Sequence, residues 1–294
     1  EKIDPPLKLA WKYRAGKDPL MAPVVKNGIV YVGSADGCMY ALDLWKGELI
    51  WKFQVDRVRE DSIFWEDLDF LPENKIINHI VTTACISKDK IFFGTIDGSV
   101  YALDIAQQGK PVWKINIGVD RLYSSPLYLD GKVLFGSYAK KVHCLNSETG
   151  DILWEVNLDN KIYNAVTIKD RNLFVTTIDE KLYAIDIDSQ QIKWKNELKA
   201  ESWHTCCTDD ENLYVAGVRE AVYAFDIHTG KLNWRFEEQP FSSPSVADGV
   251  VYFAGTDNVF AINARDGSLI WRSDKERAFD MSPPIITKSL LQGL

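Results

Sequence analysis

A tryptophan recurs along this chain, and the residues ahead of it recur with it. Six segments share the order Ala or Cys, any residue, Asp or Asn, a turn, then Trp: residues 41–51, 102–113, 144–154, 184–194, 224–234 and 261–271. Trp11 opens the series, and the successive spacings are 40, 62, 41, 40, 40 and 37 residues. A period near 40 residues means that one supersecondary unit is being copied, and such a unit needs its neighbours to bury its faces.

Each copy reads as four short strands. In the sixth, Ser-Pro-Ser-Val-Ala is the first, Val-Val-Tyr-Phe-Ala-Gly the second, Val-Phe-Ala-Ile-Asn the third and Ser-Leu-Ile-Trp-Arg-Ser the fourth. The second strands are short, nearly unbroken apolar runs such as Ile-Phe-Phe-Gly and Val-Leu-Phe-Gly, which suit strands covered on both faces. A helix is disfavoured by their length and by their β-branched and aromatic content. Asp36-Gly37 and Asp97-Gly98 supply the positive φ values expected of two-residue hairpins. In the turn before each Trp, Asp43, Asp104, Asn146, Asp186, Asp226 or Asn263 can accept bonds from backbone amides two residues on. One such residue per copy at one place is a turn device rather than acid–base or metal chemistry. Gly47, Gly109, Gly150, Gly230 and Gly267 follow it at the left-handed position, while the fourth copy has Gln190 there and is expected to turn differently.

Four-stranded units of this kind, stacked radially, make a β-propeller of four-stranded antiparallel blades. The recurrent Trp then becomes an anchor between blades, its indole N–H bonded to a backbone carbonyl. Six complete blades are expected at about 20–54, 80–117, 122–158, 162–198, 203–237 and 241–273. Residues 7–13, carrying Trp11, look like a lone fourth strand, and 282–294 like a first strand and the start of a second. Together they give most of a seventh blade; eight blades is the alternative. The whole chain, 1–294, is expected to form a single all-β propeller domain.

The phrase Ala-x-Asp-x-x-x-Gly-x-x-x-Trp, after an apolar strand and an Asp-Gly turn, resembles the PQQ-like (quinoprotein-type) repeat β-propeller family. That family includes PQQ-dependent dehydrogenases and the propeller lipoprotein of the outer-membrane β-barrel assembly machinery. The resemblance runs from Trp11 to about Leu294 and implies the fold; it leaves the task open, because one fold hosts many functions.

Composition removes several tasks. Lys+Arg total 34 and Asp+Glu 42, a net charge of −8 that repels phosphate backbones, so no nucleic-acid partner is expected. No apolar run approaches the ~20 residues of a membrane span. The chain opens at Glu1 without Met or an apolar signal stretch, and its five cysteines form neither a disulfide framework nor a CxxC thiolate site. An extracytoplasmic location, periplasmic or at the cell surface, follows from the resemblance alone.

Residues 57–79 are an insertion after the fourth strand of the first blade. Their Phe64, Trp65 and Phe70 among acidic residues are candidates for a partner surface, on an amphipathic helix capped by Asp61 or Ser62, against the simpler reading of a loop folded onto its own propeller. Phosphate-loop, GxSxG and HExxH patterns are missing. His143 takes the place held by Tyr40, Tyr101, Tyr183 and Tyr223 and is read as a core ring; His228 lies in a solvated turn. The cluster of chemical interest is Trp203, His204, Cys206 and Cys207. In the alcohol-oxidising quinoproteins adjacent cysteines and a Trp flank the cofactor, with calcium held beside it, and the resemblance makes these four residues cofactor-binding candidates. The register against the sixth blade instead puts Cys206 on Pro244 and Cys207 on Ser245, inside a first strand whose neighbours point to opposite faces; this favours small core residues. Ser124-Ser125-Pro126, Ser242-Ser243-Pro244 and Ser282-Pro283 recur at the starts of first strands, where their hydroxyls are expected to hold water or structure near the channel mouth. No catalytic residue and no metal ligand set emerge. The leading expectation is a non-catalytic propeller that binds or assembles a protein or peptide partner, with no cofactor. The alternatives are a PQQ- and calcium-dependent dehydrogenase or a ligand-binding sensor ectodomain.

Overall fold

A computed structural model describes residues 9–17, 21–56, 78–118, 121–199, 202 and 204–274. Phe64, Trp65, Phe70 and Trp203, most of the 57–79 insertion and the 282–294 segment lie outside the described residues. Among the described residues there is no helix, and so none long and apolar enough to cross a membrane. Among the described residues there are six four-stranded antiparallel sheets, each in simple up-and-down order.

The chain divides into two compact units, within residues 8–165 and 166–294. In the first, blade 1 comprises Val24–Lys26, Ile29–Gly33, Cys38–Asp43 and Leu49–Gln54. Blade 2 comprises Cys85–Ile86, Lys90–Gly94, Ser99–Asp104 and Lys110–Asn116, and blade 3 Leu127–Leu129, Lys132–Gly136, Lys141–Asn146 and Ile152–Asn157. In the second unit, blade 4 comprises Thr167–Lys169, Asn172–Thr176, Lys181–Asp186 and Ile192–Glu197. Blade 5 comprises Cys207–Thr208, Asn212–Gly217, Ala221–Asp226 and Leu232–Phe236, and blade 6 Ser245–Ala247, Val250–Ala254, Val259–Asn263 and Leu269–Arg272.

The second and third strands carry the core because both of their faces are covered. Every residue of Lys90–Gly94 and Asn212–Gly217 is buried, which is why those runs do not alternate. Opposite faces of one blade feed different clusters. In blade 5, Leu213, Val215 and Tyr223 pack toward Phe174 and Leu182 of blade 4, while Tyr214, Val222 and Ala224 pack toward Val251 and Phe253 of blade 6.

The tryptophan anchors form as the sequence predicts. Trp113 donates its indole N–H to Ser147 O at 3.0 Å and lies flat on Gly150, where a Cβ would meet the ring at 2.8 Å. Trp234 repeats this with Ala264 O at 2.9 Å and Gly267, as Trp194 does with Ile227 O at 3.3 Å and Gly230. The glycine serves twice: its φ of +78° at Gly150 sets the turn, and its bare face admits the indole.

Two turn expectations need correction. Gln190 adopts φ +62° and donates its N–H to Asp186 O at 2.8 Å, so the fourth turn keeps the shape of the others; its Asx bonds from Asp186 to the amides of Asp188 and Ser189 hold the left-handed residue in place. The Asp-Gly hairpins are not two-residue turns. Ala35, Asp36 and Gly37 together span the gap closed by the Ser34 N–H to Cys38 O bond, and only Gly37 has positive φ. Asp36 instead uses its side chain, accepting the Cys38 N–H at 2.9 Å.

Candidate partner-binding surface

The stretch leading into each first strand is extended, so alternate residues face in and out. Five successive positions can be aligned across blades 3 to 6: Tyr123 to Leu127, Tyr163 to Thr167, residues 203–207, and Phe241 to Ser245. The second and fourth positions are buried: Ser124 and Pro126, Asn164 and Val166, His204 and Cys206, Ser242 and Pro244.

The buried hydroxyls bind backbone, the structural half of the sequence expectation. Ser124 Oγ accepts the Gly136 N–H and Ser242 Oγ the Ala254 N–H, both at 2.9 Å, tying the approach to the second strand of its own blade. The third position reaches across blades: Ser125 Oγ accepts the Thr83 N–H at 2.9 Å, and Ser243 Oγ the Thr205 N–H at 3.1 Å. A donor left unpaired there would carry its full desolvation cost, so these bonds define a second seam between blades beside the tryptophans.

Of the chemically suggestive cluster, His204 and Cys206 are buried in this frame and Cys207 is half-buried. His204 is buried, and burial pushes its pKa down to about 4, so the ring is neutral at pH 7. Cys206 is a free thiol packed with Leu198 and Leu213 on one face of blade 5, and burial pushes it up to about 12. Cys207, also a free thiol raised by burial, packs against the cluster of Tyr214 and Phe253 on the other face. The two sulfurs therefore belong to different interfaces and present no joint surface to a planar cofactor. Of the acidic residues that follow, Asp209 is structural: its Oδ1 accepts the Asn212 N–H at 2.7 Å and its Oδ2 the Tyr214 hydroxyl at 2.5 Å. Among the described residues no group of three His, Cys, Asp or Glu side chains converges as a metal site. Cys206 and Cys207, on opposite faces of blade 5, do not form the paired-sulfur surface that the resemblance raised for the quinone, and Trp203 lies outside the described residues.

His143 is a core ring, stacked on Phe135 with centroids 5.1 Å apart, and it carries more than the sequence suggested. Ser137 Oγ lies 2.8 Å from its Nε2, and Glu155 Oε1 lies 2.8 Å from its Nδ1. The order Ser–His–Glu resembles a nucleophilic triad, although Nδ1, close as it is to Glu155, makes no hydrogen bond. However, Ser137 and His143 are fully buried, and Ser137 Oγ also accepts the Ala139 N–H at 3.2 Å. Burial holds His143 down at about 4, while Lys141 holds the Glu155 carboxyl below its usual range. The chain is a buried polar strut standing where other blades use tyrosine.

What remains open is the first position. Tyr163 is 36% exposed, and its ring stacks on Tyr123 at 4.9 Å. Tyr138, from the loop between the second and third strands of blade 3, packs against Tyr123 at 5.6 Å. Lys161 Nζ stands 5.0 Å above the Tyr138 ring. Three contiguous tyrosines with a cation at the edge form a locally aromatic surface. Tyrosine presents a rigid amphipathic body at small entropic cost, and such clusters with basic neighbours are the common substance of protein interfaces. Sequence reasoning missed the patch. Its signal was an aromatic residue at the first of the five aligned positions, at Tyr123, Tyr163 and Phe241.

Known proteins were compared with this frame. The solved structure of BamB from Moraxella catarrhalis superposes with a TM-score of 0.78 at 20% identity, covering 95% of this chain and 83% of that one, which shows the β-propeller fold. BamB of Salmonella typhimurium is 24% identical over 158 residues, 53% of this chain and 34% of that protein. The quinohemoprotein alcohol dehydrogenase ADH-IIG of Pseudomonas putida is 29% identical over 163 residues, 50% of this chain and 21% of that protein. The matches thus span about a third or less of these two curated relatives' own lengths. The family model described as outer membrane protein assembly factor BamB matches residues 7–121, 96–208 and 194–290, and the chain belongs to that family of PQQ-like repeat propellers.

Proposed function

We propose that this protein is a binding module that docks another protein through the surface of Tyr123, Tyr138 and Tyr163, and that it works as an assembly scaffold without chemistry of its own. The observation that carries this reading is the cluster of exposed Tyr163 with half-buried Tyr123 and Tyr138 and Lys161 over its edge, beside a frame that buries His204 and Cys206. Membership of a family named for outer membrane protein assembly supports it and favours an extracytoplasmic setting. The test replaces Tyr138 and Tyr163 together by Ala. Capture of the partner from its native extract should fall about tenfold or more, as loss of a central interface pair does, with the thermal midpoint little changed. Undiminished capture contradicts the proposal.

A second reading, a quinone-dependent alcohol dehydrogenase, has the Pseudomonas putida similarity in its favour. The positions of Cys206 and Cys207 on opposite faces of blade 5 count against it. Adding PQQ and Ca²⁺ and following quinone absorbance and dye reduction with alcohols separates the two. Saturable binding with turnover would replace the scaffold reading.

A further inference from the structure

In blades 1, 2 and 4 the short loop between the second and third strands follows one design, and blade 3 departs from it twice. The design sets an Asp at the loop's third position: Asp36, Asp97 and Asp179. Asp36 Oδ1 accepts the Cys38 N–H at 2.9 Å, and Asp97 Oδ1 the Ser99 N–H at 3.0 Å. Asp97 and Asp179 also accept the hydroxyl at the loop's first position, from Thr95 and Thr177, both at 2.6 Å. Such a carboxylate braces its own loop. In blade 3 that place holds Ala139, and His143 stands where those three blades have Tyr40, Tyr101 and Tyr183. The hydroxyl at the first position, Ser137, turns instead to the histidine ring, 2.8 Å from Nε2.

Ser137 is also where the tyrosine surface is tied together. Its carbonyl accepts the Lys140 N–H at 3.2 Å, closing the loop that presents Tyr138, and the Ile162 N–H at 3.1 Å, fixing the stretch between Lys161 and Tyr163. Its Oγ accepts the Ala139 N–H at 3.2 Å, which leaves the hydroxyl proton to an unprotonated Nε2. A protonated ring must donate from Nε2, so the hydroxyl proton has to turn to Lys141 O, 3.5 Å away. The charged groups facing the ring are Glu155 on the fourth strand and Lys141 on its own strand, paired with each other at 2.6 Å. Nδ1 has no hydrogen-bond partner, so Glu155 attracts a charged ring only through space. The second strand offers Phe135, stacked on the ring, within an apolar cluster that includes Leu122 and, from blade 2, Ile115. Burial outweighs the attraction of Glu155 and holds the ring down at about 4. We infer that His143 is an acid-sensitive latch on the partner surface: the neutral ring holds the Tyr138 loop through Ser137, and a protonated ring releases it. This is a regulation of the surface proposed above, and it rests on that reading.

Amide exchange in the full chain reads the latch without a partner. An ordinary histidine is mostly charged at pH 5 while this buried ring is not, so lowering the pH from 7 to 5 favours the open loop. Corrected for intrinsic rate, the Lys140 and Ile162 amides should exchange about tenfold or more faster at pH 5. Gly98, which makes the matching bond to Thr95 O at 3.0 Å in blade 2, should hold. His143→Tyr, which installs the residue of blades 1, 2, 4 and 5, should abolish the change, and Ala139→Asp, which restores the brace, should reduce it. The inference is overturned if Lys140 and Ile162 do not speed up, if Gly98 speeds up equally, or if His143→Tyr leaves the change in place. Capture of the partner should fall at pH 5 in the wild-type chain and persist with His143→Tyr. Loosened amides with capture unchanged overturn the inference and leave the tyrosine surface standing. Failure of that surface itself shows already at pH 7, in the paired substitution of Tyr138 and Tyr163.

Discussion

Tyr163 and His204 stand one step apart in the same repeated stretch, on successive copies of it, and they meet opposite fates. Tyr163 occupies the first position and is 36% exposed; His204 occupies the second and is 6% exposed. The difference is the two-residue alternation of an extended chain entering a sheet covered on both faces. Residue type therefore says little about function in this molecule until its place in the repeat is known. His204 and Cys206, side chains with rich chemistry, fall on positions that the frame closes. The tyrosines fall where the frame opens.

The sealed side of that comparison can be strained by acid. His204 and His143 titrate at about 4 in the fold, against an ordinary value of about 6.5 in the unfolded chain. The unfolded state therefore binds protons first as pH falls. Stability contributed by the neutral rings is whole above about pH 6.5 and drains away as pH drops toward 4. The loss is up to about 3 kcal/mol for each ring. Urea midpoints measured between pH 7 and pH 4 should show it, and His204→Ser, which installs the residue of blades 3 and 6, should remove His204's share. A flat profile would mean these rings are not sealed. A smaller effect belongs to the seam itself. Ser242→Ala orphans the Ala254 N–H and should cost about 1–3 kcal/mol in chemical denaturation; a neutral result would return that hydroxyl to mere solvation.

The sequence carried the fold well because the repeat constrains it several times over. The strand runs, the Asx turns and the tryptophan–glycine anchors each appear as local patterns, and each copy checks the others. Where a residue acts through its neighbours the pattern was silent. Gln190 looked like a broken turn, yet Asp186 supplies enough amide bonds to keep it in shape. Ser125 and Ser243 looked like solvated hydroxyls because their acceptor role is to an amide in another blade, 42 and 38 residues away. His143 was legible as a core ring, but its link to Ser137 and Glu155 depends on register between strands. The tyrosine patch was hardest, since it joins three residues from two connections and a hairpin loop. The candidates Phe64, Trp65, Phe70 and Trp203 lie outside the described residues and keep the standing that sequence gave them.

The proposed partner sits on the surface of Tyr123, Tyr138 and Tyr163. A photo-crosslinking phenylalanine analogue placed at Tyr163, in cells that make the partner, reads this directly, with the same analogue at exposed Lys52 of blade 1 as reference. A discrete heavier adduct from position 163, lost when Tyr138 is also replaced by Ala, is the predicted result. Adducts of equal yield from position 52, or none from 163, contradict it.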